Sequence, residues 1–487
     1  MSLYGGIELP GHPCPENVRR LDLLPIPQIR RMMRMGVGID KEWLWNLGSK
    51  LESRKVELKK EISSYVPPDK LEEFVSSSSG EGEGGMGLEL NVESAEQVAT
   101  LLFKLLGVGS GRQLKRTKSG KRVSTGKKQL ETLKREHAIV PLILEYREAS
   151  KLKNTYTDRL PEIARLHPRG EECLICGRPH REDHWRVHTE ILTTRTDTGR
   201  LASKSPNLQN IPVRTVLGRE VRKAFVPQPG WKLVAADYSQ FELRLLAHLS
   251  RDANMLRIFR EGGDIHLATA MRAFGIDDPK KVDKMLHRAP CKNVNFGIAY
   301  GLTYLGLYDL MALTYATAGA PVPDWLDEAW CMEFILKWFE LYPQCVEYFE
   351  LQHYRAKRYE IVWTMCGRVR RVPEVRSCHK RIREAGLRQA GNMPIQGSQA
   401  DIFKVGMARV ERRLVEWRAA GVGVEALLPI HDELLVEVEE GWEDEVKTLL
   451  EWEMGRAMHD GQTGELRCRV PILTEGKVME EDRWTKE

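Results

Sequence analysis

Long apolar runs are missing from this sequence. No stretch approaches the roughly 20 consecutive apolar residues that a membrane-spanning helix needs. The first twenty residues include Pro10, Pro13 and Pro15 and lack the apolar core of a secretory signal peptide. We therefore expect a protein that does not contact membranes and that resides in the cytoplasm or another reducing compartment.

Cysteine and net charge are also low. The nine cysteines among 487 residues are scattered, which favours free buried thiols over a disulfide framework. The net charge of +5 is too small to indicate a partner by itself. Its distribution is more informative, because residues 112–128 include eight Lys or Arg and no Asp or Glu. This basic segment is compatible both with a solvated loop and with a contact to a phosphate backbone.

The rest of the composition, 42% hydrophobic and 29% charged, is that of a globular protein, and the length predicts two to four domains or subdomains. Apolar periodicity predicts a helical arm over about 47–151 with the basic segment at its tip, and a strong helix over 400–420. Strands are predicted at 223–226, 233–237, around Ile430 and at 467–473. This order suggests one central sheet with two helical excursions.

Two apolar runs, far apart in the sequence, each end in a carboxylate. Asp237 follows the run 233–236, and the adjacent pair Asp432 and Glu433 separates two further apolar runs. A carboxylate at the end of a buried strand costs free energy unless a cation lies beside it. If the fold brought the ends of the two runs together, their carboxylates could hold the paired metal ions of a phosphoryl transfer. The alternatives are a helix N-cap for Asp237 and a simple polar turn for the pair.

Between these tips lies a ladder with a spacing of four residues. Arg288, Lys292, Phe296 and Tyr300 would share one gently winding face of a helix. Two cations suit triphosphate oxygens, and two aromatic rings suit a sugar and a base. The alternative is an ordinary amphipathic helix with solvated cations. Pro290 requires the helix to begin near Arg288.

Five segments resemble motifs of the family A DNA polymerases, the bacterial polymerase I class, and they follow one another along the chain in the order expected of that family. The segment 237–244 (Asp-Tyr-Ser-Gln-Phe-Glu-Leu-Arg) resembles motif A, and 288–301 resembles the nucleotide-binding motif B. His431-Asp432-Glu433 resembles motif C. The segments 198–214 and 393–401 resemble stretches that grip the minor groove of the primer–template duplex. The similarity runs from about Ile26 to the C-terminus.

The resemblance implies a mixed α+β fold, the right hand of polymerases, with an antiparallel palm sheet and helical thumb and fingers. The implied divisions are an N-terminal segment with the start of the palm (1–46), the thumb (47–151), the palm (152–245, with an insertion at 167–188), the fingers (246–420) and the C-terminal palm (421–487). Only about 25 residues precede the similarity, so we expect this chain to lack 3′–5′ and 5′–3′ exonuclease domains.

The resemblance also implies a role for each matching residue. Two Mg²⁺ ions, for which Mn²⁺ can substitute, would be held by Asp237, Asp432 and the Tyr238 carbonyl. The catalytic set would be Asp237, Asp432, Glu433 and Lys292. The dNTP-binding set would be Arg288, Lys292, Phe296, Tyr300, Gln240 and Glu242, of which Glu242 would block a ribonucleotide 2′-hydroxyl. The DNA-binding set would be Arg200, Asn207, Asn210, Arg214, Gln396 and His431, together with Lys115, Arg116, Lys118, Lys121 and Arg122 of the basic segment.

The sequence departs from the family pattern in two places. Ala289 and Pro290 replace the more usual arginine and small residue of motif B. The insertion in the palm contains a Cys-x-x-Cys pair followed by two histidines, a spacing that allows a structural tetrahedral Zn²⁺. The predicted ligands are Cys173, Cys176, His180 and His184, with His167 and His188 as spare candidates. The alternative is a polar surface hairpin with incidental cysteines.

The resemblance implies primer–template DNA and dNTPs as partners and leaves an RNA template open. We expect the protein to be a monomer in the cytoplasm of a bacterial or phage-infected cell. Three rivals remain at this point. A catalytically inactive primer–template-binding protein is disfavoured by the presence of both Asp237 and Asp432. A single-subunit RNA polymerase is disfavoured by Glu242. A reverse-transcribing variant is compatible with the sequence.

Overall fold

The computed structural model describes most of the chain. The described residues are 9–67, 90–111, 114–117, 120, 122–134, 136–170, 172–212, 215–299, 301–317, 321–460, 463 and 465–485. Four of the predicted site residues lie outside these ranges: Lys118, Lys121, Arg214 and Tyr300.

Helices make up most of the described chain. The α-helices are α1 (Pro15–Leu23), α2 (Ile26–Met35), α3 (Lys41–Ser63), α4 (Ala95–Ala99), α5 (Lys127–Leu133), α6 (Ile139–Leu152), α7 (Arg159–Ile163), α8 (Val216–Arg222), α9 (Phe241–Ser250), α10 (Ala253–Arg260), α11 (Ile265–Phe274), α12 (Ala289–Ala299), α13 (Tyr304–Thr317), α14 (Glu328–Leu341), α15 (Pro343–Tyr359), α16 (Lys380–Ala419) and α17 (Glu443–Gly455). No helix among the described residues is both long and apolar enough to cross a bilayer.

The strands form four small antiparallel sheets. They are β1 (Val37–Gly38), β2 (Arg165–His167), β3 (His184–Val187), β4 (Glu190–Leu192), β5 (Ala202–Lys204), β6 (Trp231–Tyr238), β7 (Ile361–Trp363), β8 (Val369–Arg371), β9 (Val424–Ile430), β10 (Glu433–Glu439) and β11 (Thr474–Val478). The sheet orders are β1-β3-β2, β11-β6-β10-β9, β4-β5 and β7-β8. The mixed fold and the antiparallel central sheet predicted by the resemblance are confirmed.

The four-stranded sheet is the palm, and its two central strands are largely buried on both faces. In β6 the side chains of residues 233–236 are all buried, as are those of residues 433–438 in β10. The predicted strands at 233–237 and around Ile430 are therefore correct. The strand predicted at 223–226 is wrong, because those residues complete the C-terminal turn of α8 and only Phe225 forms a bridge, with Ile39. The strand predicted at 467–473 is replaced by β11, which begins at Thr474.

The helical arm has a core of its own. Asp40 caps α3 by accepting a hydrogen bond from the Trp43 amide at 2.9 Å. The long helices α3 and α6 pack together, and apolar side chains between Leu58 and Tyr146 form a cluster separate from those of the palm. This cluster falls within the predicted thumb, and the residue bounds of thumb, palm and fingers stay a prediction.

The longest helix of the described residues is α16. Its 40 residues continue through Pro394, whereas the sequence predicts only the part from Ala400 onward. Most side chains between Gly386 and Leu414 are buried against neighbouring helices, the palm and the strand β7. The helix therefore carries the segment 393–401 directly to the end of the palm sheet.

Candidate active site

The two predicted carboxylate tips meet at one end of the palm sheet. β6 and β10 pair antiparallel with Asp237 opposite Glu433, and the turn from β9 to β10 consists of His431 and Asp432. Asp237 lies within β6, and the N-cap of the following helix is Gln240, whose side chain makes no capping hydrogen bond. The capping alternative for Asp237 is therefore wrong. Asp237 and Asp432 are each half-buried at this edge.

The backbone at this edge is held in an uncommon conformation at two places. Gln240 has a φ of 52° and His431 a φ of 58°, so both occupy the left-handed region without being glycine. Such positions cost free energy and occur preferentially at functional sites. Each one adjoins a predicted metal-binding segment. His431 is exposed at the hairpin tip, and Gln240 is half-buried.

Glu433 lies in a buried ion pair. Its Oε1 accepts hydrogen bonds from Arg222 Nη2 at 3.1 Å and from the Trp484 indole at 3.3 Å. The Arg222 guanidinium also lies over the Trp484 ring, 3.6 Å from its centroid. Both charged side chains are less than a tenth exposed. Glu433 thus anchors the first residue of β10 to α8 and to the C-terminal segment.

A hydrogen-bonded chain joins three of the predicted site residues through one that the sequence did not single out. Gln399 Nε2 donates to Asp432 Oδ2 at 2.9 Å, and Gln399 Oε1 accepts from Arg200 Nη2 at 2.5 Å. The same Arg200 nitrogen donates to Glu242 Oε1 at 2.7 Å. Gln399 and Glu242 are both buried. Gln399 belongs to the segment 393–401, where the resemblance drew attention only to Gln396.

The fingers helix carries the predicted ladder. A short π-helical turn, Lys284–Arg288, precedes α12, so Pro290 lies in the first turn of the α-helix as the sequence requires. Arg288 Nε donates to Asp264 Oδ2 at 2.6 Å. Burial raises the pKa of the Asp264 carboxyl, but the hydrogen bond and charge of Arg288, together with the amides of Leu267 and His266, outweigh burial, and the pKa is lowered. Lys292 is exposed, while Phe296 is half-buried against the core.

The predicted duplex-gripping residues lie on the surface beside the palm. Asn207 and Asn210 are exposed at the two ends of a 3₁₀ turn, and Asn207 Oδ1 accepts from the Gln209 amide at 3.1 Å. Gln209 Nε2 donates to the Pro429 carbonyl of β9 at 2.8 Å, which fixes this turn against the palm sheet. Gln396 is half-buried on α16.

The basic segment forms a small hairpin in its described part. Arg116 and Val123 form an antiparallel bridge, and the Ser124 amide donates to the Lys115 carbonyl at 2.8 Å. The side chains of Lys115, Arg116 and Arg122 are exposed, and Arg122 lies 3.9 Å from Glu96, which is itself mostly exposed. The hairpin therefore exposes its cations to solvent, which is compatible both with a solvated loop and with a contact to a phosphate backbone.

The palm insertion brings a different set of ligands together from the one predicted. His167, Cys173, Cys176 and His180 are all buried, and one donor atom of each lies within 4.8 Å of the others. His184, the fourth predicted ligand, is outside this group, because its Nδ1 lies 3.2 Å from the Glu182 carbonyl oxygen and its Nε2 3.4 Å from Arg186. In the antiparallel pairing of β2 with β3, His167 lies opposite His184, and it is His167 that joins the cysteines.

The donors at the palm edge suit hard divalent cations. Asp237, Asp432 and the Tyr238 carbonyl offer only oxygen, which Mg²⁺ prefers, and the two carboxylates come from β6 and from the β9–β10 turn at the same end of the sheet. Glu433, which the resemblance places in the catalytic set but not among the metal ligands, has its Oε1 engaged by Arg222 and Trp484.

Known proteins are similar to this chain over most of its length. The model of the family described as "DNA polymerase family A" matches residues 69–485. The thermostable DNA polymerase I of Thermus filiformis is 43% identical over 373 residues, covering 76% of this chain and 40% of that protein. DNA polymerase I of Rhizobium leguminosarum is 34% identical over 460 residues, covering 94% of this chain and 39% of that protein.

A solved structure shares the fold. The POL domain of Pol1 from M. smegmatis, determined in complex with DNA primer-template and dNTP, is similar with a TM-score of 0.73 and 29% identity over 95% of this chain and 70% of that one. The chain spans about two fifths of the length of the curated relatives named above. From the family match, the curated relatives and the shared fold, we conclude that this chain belongs to DNA polymerase family A.

Proposed function

We propose that this chain is a DNA-templated DNA polymerase that adds deoxynucleotides to a primer 3′ end by two-metal nucleotidyl transfer. One observation carries the proposal. The pairing of β6 with β10 places Asp237 and the turn residue Asp432 at the same end of the palm sheet, where both are accessible. The M. smegmatis relative was determined with primer-template and dNTP, which supports the same ligands here.

In this proposal Asp237, Asp432 and the Tyr238 carbonyl would hold two Mg²⁺ ions, which Mn²⁺ could replace. When bound, the ions favour deprotonation of the primer 3′-hydroxyl and balance the charge that develops on the α-phosphate. Gln399 fixes the orientation of Asp432 through its hydrogen bond to Oδ2. Glu433 supports the site indirectly, because its ion pair with Arg222 holds the start of β10 in place.

The fingers helix supplies the nucleotide contacts. Lys292 is exposed and would meet the triphosphate directly. Arg288 is held by Asp264 in the free protein and would reach the triphosphate only by exchanging that partner. The partly buried Phe296 would pack on the sugar, and Tyr300 beside the templating base. Gln240 and Glu242 would face the incoming nucleotide, and Glu242 would exclude a 2′-hydroxyl.

The duplex would lie across the palm and against the thumb. Arg200, Asn207, Asn210, Arg214 and Gln396 would contact the minor groove near the primer end, and His431 would lie close to the primer terminus. The exposed cations of the basic hairpin would contact backbone phosphates, an interaction that weakens as salt is raised.

Primer extension on a DNA template with Mg²⁺ tests the proposal. We expect template-directed incorporation of dNTPs by the wild-type chain and a loss of at least about a thousandfold in Asp432→Asn, since the substitution removes a metal ligand but keeps the shape of the side chain. Asp444→Asn is the matched control, because Asp444 is an exposed acid in the first turn of α17 that takes no part in the site.

If no primer is extended, a separate measurement of primer–template binding shows whether the protein still binds DNA. Wild-type protein that binds the duplex but extends no primer would contradict the proposal and favour an inactive DNA-binding protein. Equal extension by wild type and Asp432→Asn would also overturn the metal-binding role assigned to Asp432.

A further inference from the structure

The palm insertion contains a cluster of two thiols and two imidazoles that the polymerase reaction does not use. His167, Cys173, Cys176 and His180 are buried, and their donor atoms lie within 4.8 Å of one another. Cys173 Sγ lies 3.7 Å from His167 Nδ1, and Cys176 Sγ lies 3.1 Å from His180 Nε2. A tetrahedral Zn²⁺ site has sulfur–nitrogen edges of about 3.6 Å, so only a small adjustment separates this arrangement from a coordination sphere.

The backbone of the cluster has the form of a metal-binding knuckle. The Cys-x-x-Cys turn closes with the Gly177 amide donating to the Cys173 carbonyl at 2.7 Å, and Gly177 has a φ of 72°. The Cys173 amide in turn donates to the Arg178 carbonyl at 2.8 Å. A two-way backbone bridge between Gly170 and His180 then returns the chain beside the cysteines. Because of this bridge, the three residues between Cys176 and His180 are sufficient to bring His180 to the cysteines.

The second nitrogen of each histidine has a partner that directs the ligand nitrogen towards the thiols. His188 Nδ1 lies 3.0 Å from the Met33 carbonyl oxygen and must donate to it, which leaves His188 Nε2 as an acceptor. His167 Nε2 lies 3.1 Å from that acceptor and therefore carries its own proton, so His167 Nδ1 presents a lone pair to Cys173. His180 Nδ1 donates to Gln228 Oε1 at 3.1 Å, which leaves its Nε2 with a lone pair beside Cys176.

We propose that His167, Cys173, Cys176 and His180 form a structural Zn²⁺ site, with His188 and Gln228 as the outer partners that orient the two imidazoles. Two thiolates and two imidazoles in a closed tetrahedron are the donors typical of structural zinc, and outer hydrogen bonds of this kind accompany most metal-bound histidines. The site is separate from the oxygen-only donors at the palm edge, so it goes beyond the proposed polymerase function and does not depend on it.

The surroundings indicate what the ion would stabilise. Cys173 and Cys176 belong to the same buried cluster as the palm residues Leu233 and Leu435. The buried Arg186 of β3, next to the cluster, pairs with Glu437 of β10 at 2.8 Å. The zinc would therefore fix the insertion to the rear of the palm sheet, and its loss would loosen the support of β10.

Metal content of the purified full-length chain tests the assignment. We expect one zinc per chain by elemental mass spectrometry after exhaustive dialysis, and almost none in the Cys173→Ser/Cys176→Ser double variant. Replacement by Co²⁺ in the wild-type protein should give the absorption of a tetrahedral ion with two thiolate ligands. X-ray absorption at the zinc edge of the wild type should show two sulfur and two nitrogen neighbours, a result that needs no variant to fold.

Matched controls separate this ligand set from the one that the sequence predicts. His184→Ala and Cys378→Ser, the latter at an exposed cysteine outside the cluster, should keep one zinc per chain, whereas His167→Ala should lose most of it. The proposal is overturned if wild-type protein carries no stoichiometric zinc. Zinc that remains in the double cysteine variant, or that shows four oxygen or nitrogen neighbours, would overturn it as well.

Discussion

At the scale of single residues, Gln399 shows what the motifs left out. Its amide bridges Asp432 and Arg200, and through Arg200 it reaches Glu242. The residues proposed to bind metal, to contact DNA and to select the nucleotide sugar thus share one hydrogen-bonded chain. Nothing in the sequence marks Gln399, because its two partners, Asp432 and Arg200, lie far from it along the chain.

Gln399→Leu tests the importance of this bridge. The substitution keeps the approximate volume but removes the donor to Asp432 and the acceptor for Arg200, and a hydrogen bond to a charged group contributes about 1.5–3 kcal/mol. We expect kcat for dNTP addition to fall by about tenfold or more, with primer–template affinity changed little. Gln389→Leu on the same helix, which removes an acceptor for Arg370, is the control and should leave kcat unchanged. Equal kcat values for the two variants would exclude a positioning role for Gln399.

Glu242 allows the steric and electrostatic parts of sugar selection to be separated. Its carboxylate is buried and held by Arg200. Glu242→Ala opens space where a 2′-hydroxyl would lie, and we expect the preference for dNTPs over rNTPs to fall by about tenfold or more. Glu242→Gln keeps the bulk and removes the charge, so it should retain most of the preference. Single-nucleotide incorporation kinetics measure both, and an unchanged preference in Glu242→Ala would show that another residue excludes the hydroxyl.

At the scale of secondary-structure elements, the β9–β10 hairpin depends on a buried charge pair. Glu433 begins β10, and its partner Arg222 ends α8. A buried carboxylate is tolerated only with a paired cation and satisfied hydrogen bonds, and here Trp484 supplies a further donor. The pair and Trp484 therefore connect three segments that are far apart in the sequence, at the strand that follows the turn containing Asp432.

Removal of one member of this pair should be severe. Arg222→Met leaves Glu433 buried without its cation, and we expect the free energy of unfolding to fall by about 3–5 kcal/mol in urea denaturation. The neighbouring Lys223→Met removes an ion pair with Glu220 that is about one third exposed, and it should cost less than about 1 kcal/mol. The double variant Arg222→Met/Glu433→Gln should recover part of the loss. Similar losses in the two single variants would mean that burial does not set the cost.

The long helix α16 illustrates how packing overrides local preference. An interior proline costs a helix about 3 kcal/mol, so local propensity predicts a start beyond Pro394. The structure keeps one helix from Lys380 to Ala419, because side chains on both sides of Pro394 are buried against other elements. The position of Gln396 and Gln399 at the palm edge depends on that continuity.

At the scale of the whole molecule, buried histidines link stability to pH. Burial lowers the pKa of His248 to about 4 and that of His266 to about 4, well below the ordinary value of about 6.5. Burial and the positive charges of Arg469 and Arg251 keep the pKa of His248 low, and its Nδ1 accepts a hydrogen bond from the Arg469 amide at 3.1 Å, as a neutral ring can. Between these pKa values the unfolded chain binds protons that the folded chain does not. The contribution of these two histidines to stability is therefore complete above about pH 6.5 and is lost as the pH falls towards 4.

His248→Gln should reduce this acid sensitivity. Each such histidine contributes a slope of up to about 1.4 kcal/mol per pH unit within that window, and glutamine keeps a hydrogen-bond acceptor without titrating. We expect the loss of unfolding free energy between pH 6.5 and pH 5 to be smaller in His248→Gln than in the wild type. His12→Gln, at an exposed histidine, should match the wild-type slope. Parallel slopes for all three proteins would show that His248 does not resist protonation in the folded state.

The sequence alone determined the family and the central elements of the site. An apolar run ending in an acid is a local pattern, so the strand that carries Asp237 and the strand that leads to Asp432 could be predicted from it. The four-residue spacing of the ladder, also local, predicted the helix beginning near Arg288. The tertiary structure decided the partners. Glu433 pairs with Arg222, Gln399 supports Asp432, and His167 takes the place expected of His184 beside the cysteines. Such contacts join residues far apart in the chain or on opposite faces of a hairpin, and only the packing of the whole fold specifies which side chains meet.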